Sequence, residues 1–165
     1  MASDDLDSSY LAAGHEFVAS LERLGLDPEI AAWGFDTQIS KHVFVVVTDF
    51  FDFKGPYEVS KLLFQAYNAS ALPQEIDPFL VRLHSGRHSL AHSVRLLLGE
   101  SRVSARDGTT GKIKADNLVL RGGEAGGIQF HKAWIVRFRV SPHRKSIELS
   151  RRWRRFERNV EALAA

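Results

Sequence analysis

The chain has no cysteine among its 165 residues. This removes disulfides, thiolate zinc sites, iron–sulfur ligation and every cysteine nucleophile from the chemistry open to it. Long apolar runs are also missing. The longest strongly apolar stretch is Val43 to Val47, far short of the ~20 residues that span a bilayer. The opening Met1-Ala-Ser-Asp-Asp-Leu-Asp is acidic where a secretory or mitochondrial leader would be basic, so a soluble, cytoplasmic protein is expected. No HExxH, G-x-S-x-G or phosphate-binding loop occurs, and no cofactor is expected. Positive charge is scarce in one half only. Residues 1–80 carry 4 Lys and Arg against 13 Asp and Glu, while residues 81–165 carry 18 against 7. A formal total of +2 therefore hides two oppositely charged halves, which points to a partner of fixed charge or to acidic and basic surfaces meeting within one fold.

The length suits one domain, which would bury roughly 70% of its extended-chain surface. Leu6, Tyr10, Ala13, Phe17, Leu21 and Leu24 recur at three- and four-residue steps, which predicts a helix over 6–24. Asp4, Asp5 and Asp7 stand at its start, and Gly25 followed by Pro28 ends it. A turn-rich stretch around Trp33-Gly34 follows. His42 to Asp49 is then a β-branched apolar run of the kind buried on both faces of a sheet. Gly55-Pro56 opens a helix over 57–69 with Val59, Leu62, Leu63 and Ala66 facing inward, and Phe79 to His84 reads as a second strand. Parallel pairing of the two strands would make a β-α-β unit with a right-handed crossover. A short helix over 87–98 ends at Gly99.

The second half alternates polar and apolar residues over 101–107, 112–120 and 128–140, separated by glycine-rich turns, and reads as an antiparallel meander. In the last of these strands Ile128, Phe130, Trp134, Val136, Phe138 and Val140 are expected to share one face. A closing helix over 146–163 completes the expected fold, a single α+β domain with an N-terminal helix, a β-α-β segment, a meander and a C-terminal basic amphipathic helix.

The same alternation places the positive charges. Arg102 and Arg106 share a face of the first meander strand, Lys112 and Lys114 of the second, and Arg137 and Arg139 of the third. On the closing helix, Leu149, Trp153, Phe156, Val160 and Leu163 form one stripe. Arg151, Arg154, Arg155 and Arg158 lie opposite it, with Arg152 at the edge. Guanidinium forks suit phosphates because they donate two hydrogen bonds at once and are weakly hydrated. The leading expectation is a non-enzymatic protein whose basic sheet face and Arg-rich helix engage an anionic partner, nucleic-acid backbone first. The aromatics Trp134, Phe138, Trp153 and Phe156 all fall on apolar stripes, which argues against a base-stacking platform. An alternative is a protein–protein adaptor or small homo-oligomer that pairs acidic and basic surfaces.

A further alternative rests on polar residues at the carboxyl ends of the two parallel strands: Asp49, Asp52 and Lys54 after the first, and His84, Ser85, Arg87 and His88 after the second. His88 and His92 stand at i, i+4, the spacing that lets two imidazoles hold one metal. A metal-dependent hydrolase would use Asp49, Asp52, His84 and His88. The plainer reading of these residues is strand-end punctuation and a solvated helix face. The Gly122-Gly123 and Gly126-Gly127 pairs read as a hairpin loop, since no helix follows to supply a phosphate-binding dipole.

Overall fold

The computed structural model describes residues 6–87, 89–97, 103–104, 110–111, 117–119, 127–139 and 144–164. The Asp7 carboxylate accepts from the Ser9 N–H at 2.9 Å and so caps helix α1 (Ser8–Leu24). Gly25 closes the helix with φ of 109°, its N–H returning to the carbonyls of Leu21 and Glu22. Both ends are where the punctuation predicts them; Asp4 and Asp5 lie outside the described residues.

Strand β2 (Lys41–Val47) is buried from Val43 to Val47. Phe44 and Val46 pack on one side with α1 and with helix α3 (Pro56–Asn68), while Val43, Val45 and Val47 pack on the other with helix α4 (Ser89–Leu97). After β2 the chain forms a short helix α2 (Phe50–Lys54), then α3, and returns through a single 3₁₀ turn at Pro78–Leu80 to strand β3 (Val81–His84). β3 pairs with β2 in parallel from Phe44↔Val81 to Val47↔His84. This is the expected β-α-β unit, so the carboxyl ends of both strands face the same way.

Sequence periodicity missed strand β1 (Ile30–Asp36), which occupies the stretch read as turn-rich. β1 lies at the centre of the sheet. It pairs antiparallel with β2 on one side and with β7 (Ile128–His131) and β8 (Ile135–Phe138) on the other. Residues of the acidic and basic halves thus share one sheet. Its order is β3-β2-β1-β7-β6, with β6 (Asn117–Val119) at the far edge and β8 also on β1. Two further segments, β4 (Val103–Ser104) and β5 (Thr110–Gly111), pair antiparallel with each other rather than with the main sheet.

The last predicted strand is interrupted. At Lys132–Trp134 the chain makes a 3₁₀ turn in which His131 Nδ1 accepts from the Ala133 N–H at 3.0 Å, and the register on β1 shifts again between Ala31 and Ala32. Ile128 and Phe130 therefore pack on the α4 side, Trp134 and Val136 on the α1 side, and Phe138 on the α4 side once more. The common face expected from strict alternation does not form, because each irregularity exchanges the two sides of the strand.

Helix α5 (Ser146–Ala162) closes the fold. Its Trp153, Phe156 and Val160 are at most 3% exposed and pack with α1, α2 and α3 on one face of the sheet. Burial of each such side chain stabilises the docked helix by roughly 1.5–3 kcal/mol. That fixes its rotation and turns the opposite face outward. Asn159 Nδ2 donates to the Leu24 carbonyl at 2.8 Å, tying α5 to the end of α1.

Candidate functional site

Arg137 and Arg139 flank Phe138 on β8, and where Phe138 turns toward α4 they turn toward the acidic end of α1. Arg137 pairs with Glu22 and lies 3.9 Å from Asp27; Arg139 lies 2.6 Å from Asp27 and 3.9 Å from Glu22. Arg144, just before α5, reaches Asp27 at 3.6 Å and Asp49 at 3.1 Å. Three guanidiniums thus interleave with three carboxylates in one network. Here the charge split of the sequence is neutralised within the chain.

On α5 the arrangement is different. Arg151, Arg154, Arg155 and Arg158 are exposed. Among the described residues none of the four has a carboxylate within ion-pairing distance, whereas Arg152 pairs with Glu148 one turn earlier at 3.4 Å. Arg151 and Arg158 are seven residues apart, so the row extends about 10 Å along the helix axis. Like charges this close repel in an isolated helix, and the docking of α5 through Trp153, Phe156 and Val160 holds them side by side. A cleft of about 630 Å³ lies on one flank of the row and one of about 680 Å³ on the other.

The parallel pair β2/β3 creates the crevice expected at its carboxyl ends, a cleft of about 450 Å³ that includes Glu29, Asp49, Asp52, Arg87, Arg95 and Arg144. Its charges are largely engaged with one another. Ser85 Oγ donates to Asp52 at 2.7 Å and accepts from the Arg87 N–H at 3.1 Å. Arg95 lies 3.7 Å from Glu29 and donates to the Gly86 carbonyl at 3.3 Å, while Arg144 holds Asp49. Burial raises the carboxyl pKa of Glu29, with Asp49 and Asp52 adding to the rise and Arg95 and Arg144 opposing it. Asp49 is raised by burial against the pull of Arg144 and Arg152. These contacts clasp the β3–α4 turn and the approach to α5 onto the sheet. His84 is buried at 7% exposure with its carbonyl accepting from the Thr48 N–H, and His92 is exposed. Among the described residues no three His, Asp or Glu side chains are spaced to hold a metal ion.

Of the residues predicted from sequence, those on β8 and α5 are described, and they divide into a paired set and an open set. Arg102, Arg106, Lys112, Lys114 and His88 lie outside the described residues. Sequence reasoning did not find the roles of Glu22, Asp27 and Arg144, because their partners are distant in the chain. Nor did it single out Phe53 and Ile147, which line the larger α5 cleft. No described helix is long and apolar enough to cross a membrane. No protein-family model matches the chain, and no curated protein or solved structure is significantly similar to it.

Proposed function

We propose that this protein binds an anionic partner, the phosphate backbone of a nucleic acid, through the outward face of α5. The observation that carries this reading is the row Arg151, Arg154, Arg155 and Arg158: exposed, held in line by a buried apolar stripe, and without carboxylate partners among the described residues. Arginines so placed gain from an anion that supplies the missing compensation, and phosphates accept their paired donors. Arg137 serves instead as an internal partner of Glu22 and Asp27. Pairing of α5 with the acidic half of a neighbouring copy is the weaker reading, since Glu22, Asp27 and Asp49 already have arginine partners in their own chain.

The test is a fluorescence-anisotropy titration of labelled oligonucleotides at several salt concentrations. The expected result is log affinity falling linearly with log salt, and a shallower slope when Arg154 and Arg158 are changed to Gln. Absence of binding even at low salt would refute the proposal.

A further inference from the structure

The two clefts flanking the α5 arginines differ in the charge of their walls. Both are lined by Arg151, Arg155 and Arg158. The 630 Å³ cleft also carries Glu22, Asp27 and Glu148 together with their partners Arg139 and Arg152, so beyond the shared row it adds three carboxylates against two arginines and no net positive charge. The 680 Å³ cleft has no carboxylate among the described residues of its lining and adds Arg154, Phe53 and Ile147. Ile147 is 85% exposed, the most open large apolar side chain among the described residues. Phe53 is half-buried, and the Lys54 ammonium stands 5.5 Å from its ring centroid. One flank of the row is therefore cationic with an apolar shelf, and the other is of mixed sign.

From this asymmetry we infer that the occupant is a single nucleic-acid strand, its phosphates along Arg151, Arg154, Arg155 and Arg158 and its bases against Ile147 and Phe53. The inference rests on the phosphate-binding reading of α5 and narrows it. A duplex straddling the helix would bring its second strand onto Glu22, Asp27 and Glu148, whose arginine partners Arg139 and Arg152 are already engaged and leave no cation free for phosphate, whereas one strand needs only the cleft whose described lining is cationic and apolar. Unpaired bases offer flat apolar faces that a duplex keeps stacked inside, and a cationic groove beside an apolar or aromatic shelf suits them irrespective of sequence. Lipid fits less well. An amphipathic helix binds a bilayer through its apolar face, and here Trp153, Phe156 and Val160 are buried in the protein core.

The test uses the full chain with three labelled probes at matched salt: an oligo-dT of about 20 nucleotides, a phosphodiester oligomer of that length without bases, and the corresponding duplex. Anionic phosphatidylserine vesicles serve as a fourth probe. Oligo-dT is expected to bind roughly 10-fold tighter than the baseless oligomer, since one stacked base is worth roughly 5- to 150-fold, and tighter than the duplex. Ile147→Ser alters an exposed side chain and should leave the fold intact by circular dichroism, and Phe53→Leu keeps apolar bulk without a ring. Each should lower affinity for oligo-dT while leaving the baseless oligomer unaffected. Equal affinity for oligo-dT and the baseless oligomer, or a preference for duplex, would overturn the single-strand inference and leave the phosphate reading standing. No binding to any of the three oligomers, with or without vesicle binding, would overturn both.

Discussion

Arg144 and Asp49 meet across 95 residues of chain, Nη1 to Oδ2 at 3.1 Å, and the arginine side chain is only 10% exposed. The same guanidinium lies 3.6 Å from Asp27, whose buried Oδ1 accepts no hydrogen bond among the described residues. Asp49 at the junction of β2 and α5 thus has this guanidinium as its one ion-pair partner among the described residues, while Asp27 shares it with Arg139 at 2.6 Å. Arg144→Gln removes it and leaves the partly buried Asp49 without its ion-pair partner, whereas Asp27 keeps Arg139. The expected loss is roughly 2–3 kcal/mol in urea unfolding, between the limits for exposed and fully buried pairs. The Asp49→Asn, Arg144→Gln double variant should lose less than the sum of the single changes, and strict additivity would show that the two residues do not interact.

Glu29 supplies a pH test. Burial first, then Asp49 and Asp52, raise its carboxyl pKa in the folded chain. Between the ordinary carboxylate value and the raised one, the folded protein keeps a proton that the unfolded chain releases. This contribution to stability is therefore present at low pH and is lost as pH rises through the window. Glu29→Gln abolishes that titration. In unfolding experiments from about pH 4 to about pH 7, the stability of the wild type relative to Glu29→Gln should fall as pH rises. A difference that is constant, or that grows with pH, would show that Glu29 is not the titrating group.

Much of the fold is legible in local pattern. The stripe and caps of α1, the β-branched run of β2, the Gly55-Pro56 start of α3 and the stripe of α5 each impose their element on the chain directly, and the parallel β2/β3 pair follows from the intervening helix. β1 was not legible. In Ile30-Ala-Ala-Trp-Gly-Phe-Asp36 both faces are buried, so there is no alternation to read. Its small residues are also required by close neighbours, since a Cβ on Gly34 would stand 2.6 Å from Ile128 Cγ2. An apolar stretch preceding the Thr37–Ser40 turn and the β2 run was the available signal. The face exchange at Lys132–Trp134 had none, because that turn is fixed by His131 rather than by glycine or proline. At the candidate site, the outward row on α5 was readable from helical geometry alone. The neutralisation of Arg137 and Arg139 was not, because it depends on how β8 lies against α1.

Gly14 opposes two effects of known size. It lies inside α1, where replacement by Ala favours the helix by about 1 kcal/mol. A Cβ there would stand 2.9 Å from Trp33 Nε1, 3.0 Å from Val136 Cγ2 and 3.1 Å from Phe44 Cε2. Trp33 and Phe44 are themselves at most 2% exposed and cannot readily move aside, and overpacking of this kind costs typically about 1–3 kcal/mol. Crowding should prevail, so Gly14→Ala should lower the urea midpoint despite its better helix propensity. An unchanged or raised midpoint would mean that α1 shifts away from the sheet at little cost.

Arg137 and Arg154 separate the internal pairing of arginine in this chain from the external role proposed for α5. Arg137 is 25% exposed and contacts Glu22 and Asp27, while Arg154 is exposed with no carboxylate within ion-pairing distance among the described residues. Glu22 retains solvent contact at 36% exposure, so Arg137→Gln should cost only about 1 kcal/mol of stability. It should leave both the affinity for nucleic acid and its salt slope as in the wild type. Arg154→Gln should do the reverse: stability within about 0.5 kcal/mol of wild type, and a log–log salt slope shallower by about 0.7–0.9, the share of one neutralised phosphate. The pair of measurements matters more than either alone. Loss of binding in Arg137→Gln with unchanged stability would move the binding surface from α5 to β8, and loss of stability in Arg154→Gln would mean that the open row is itself part of the internal charge network.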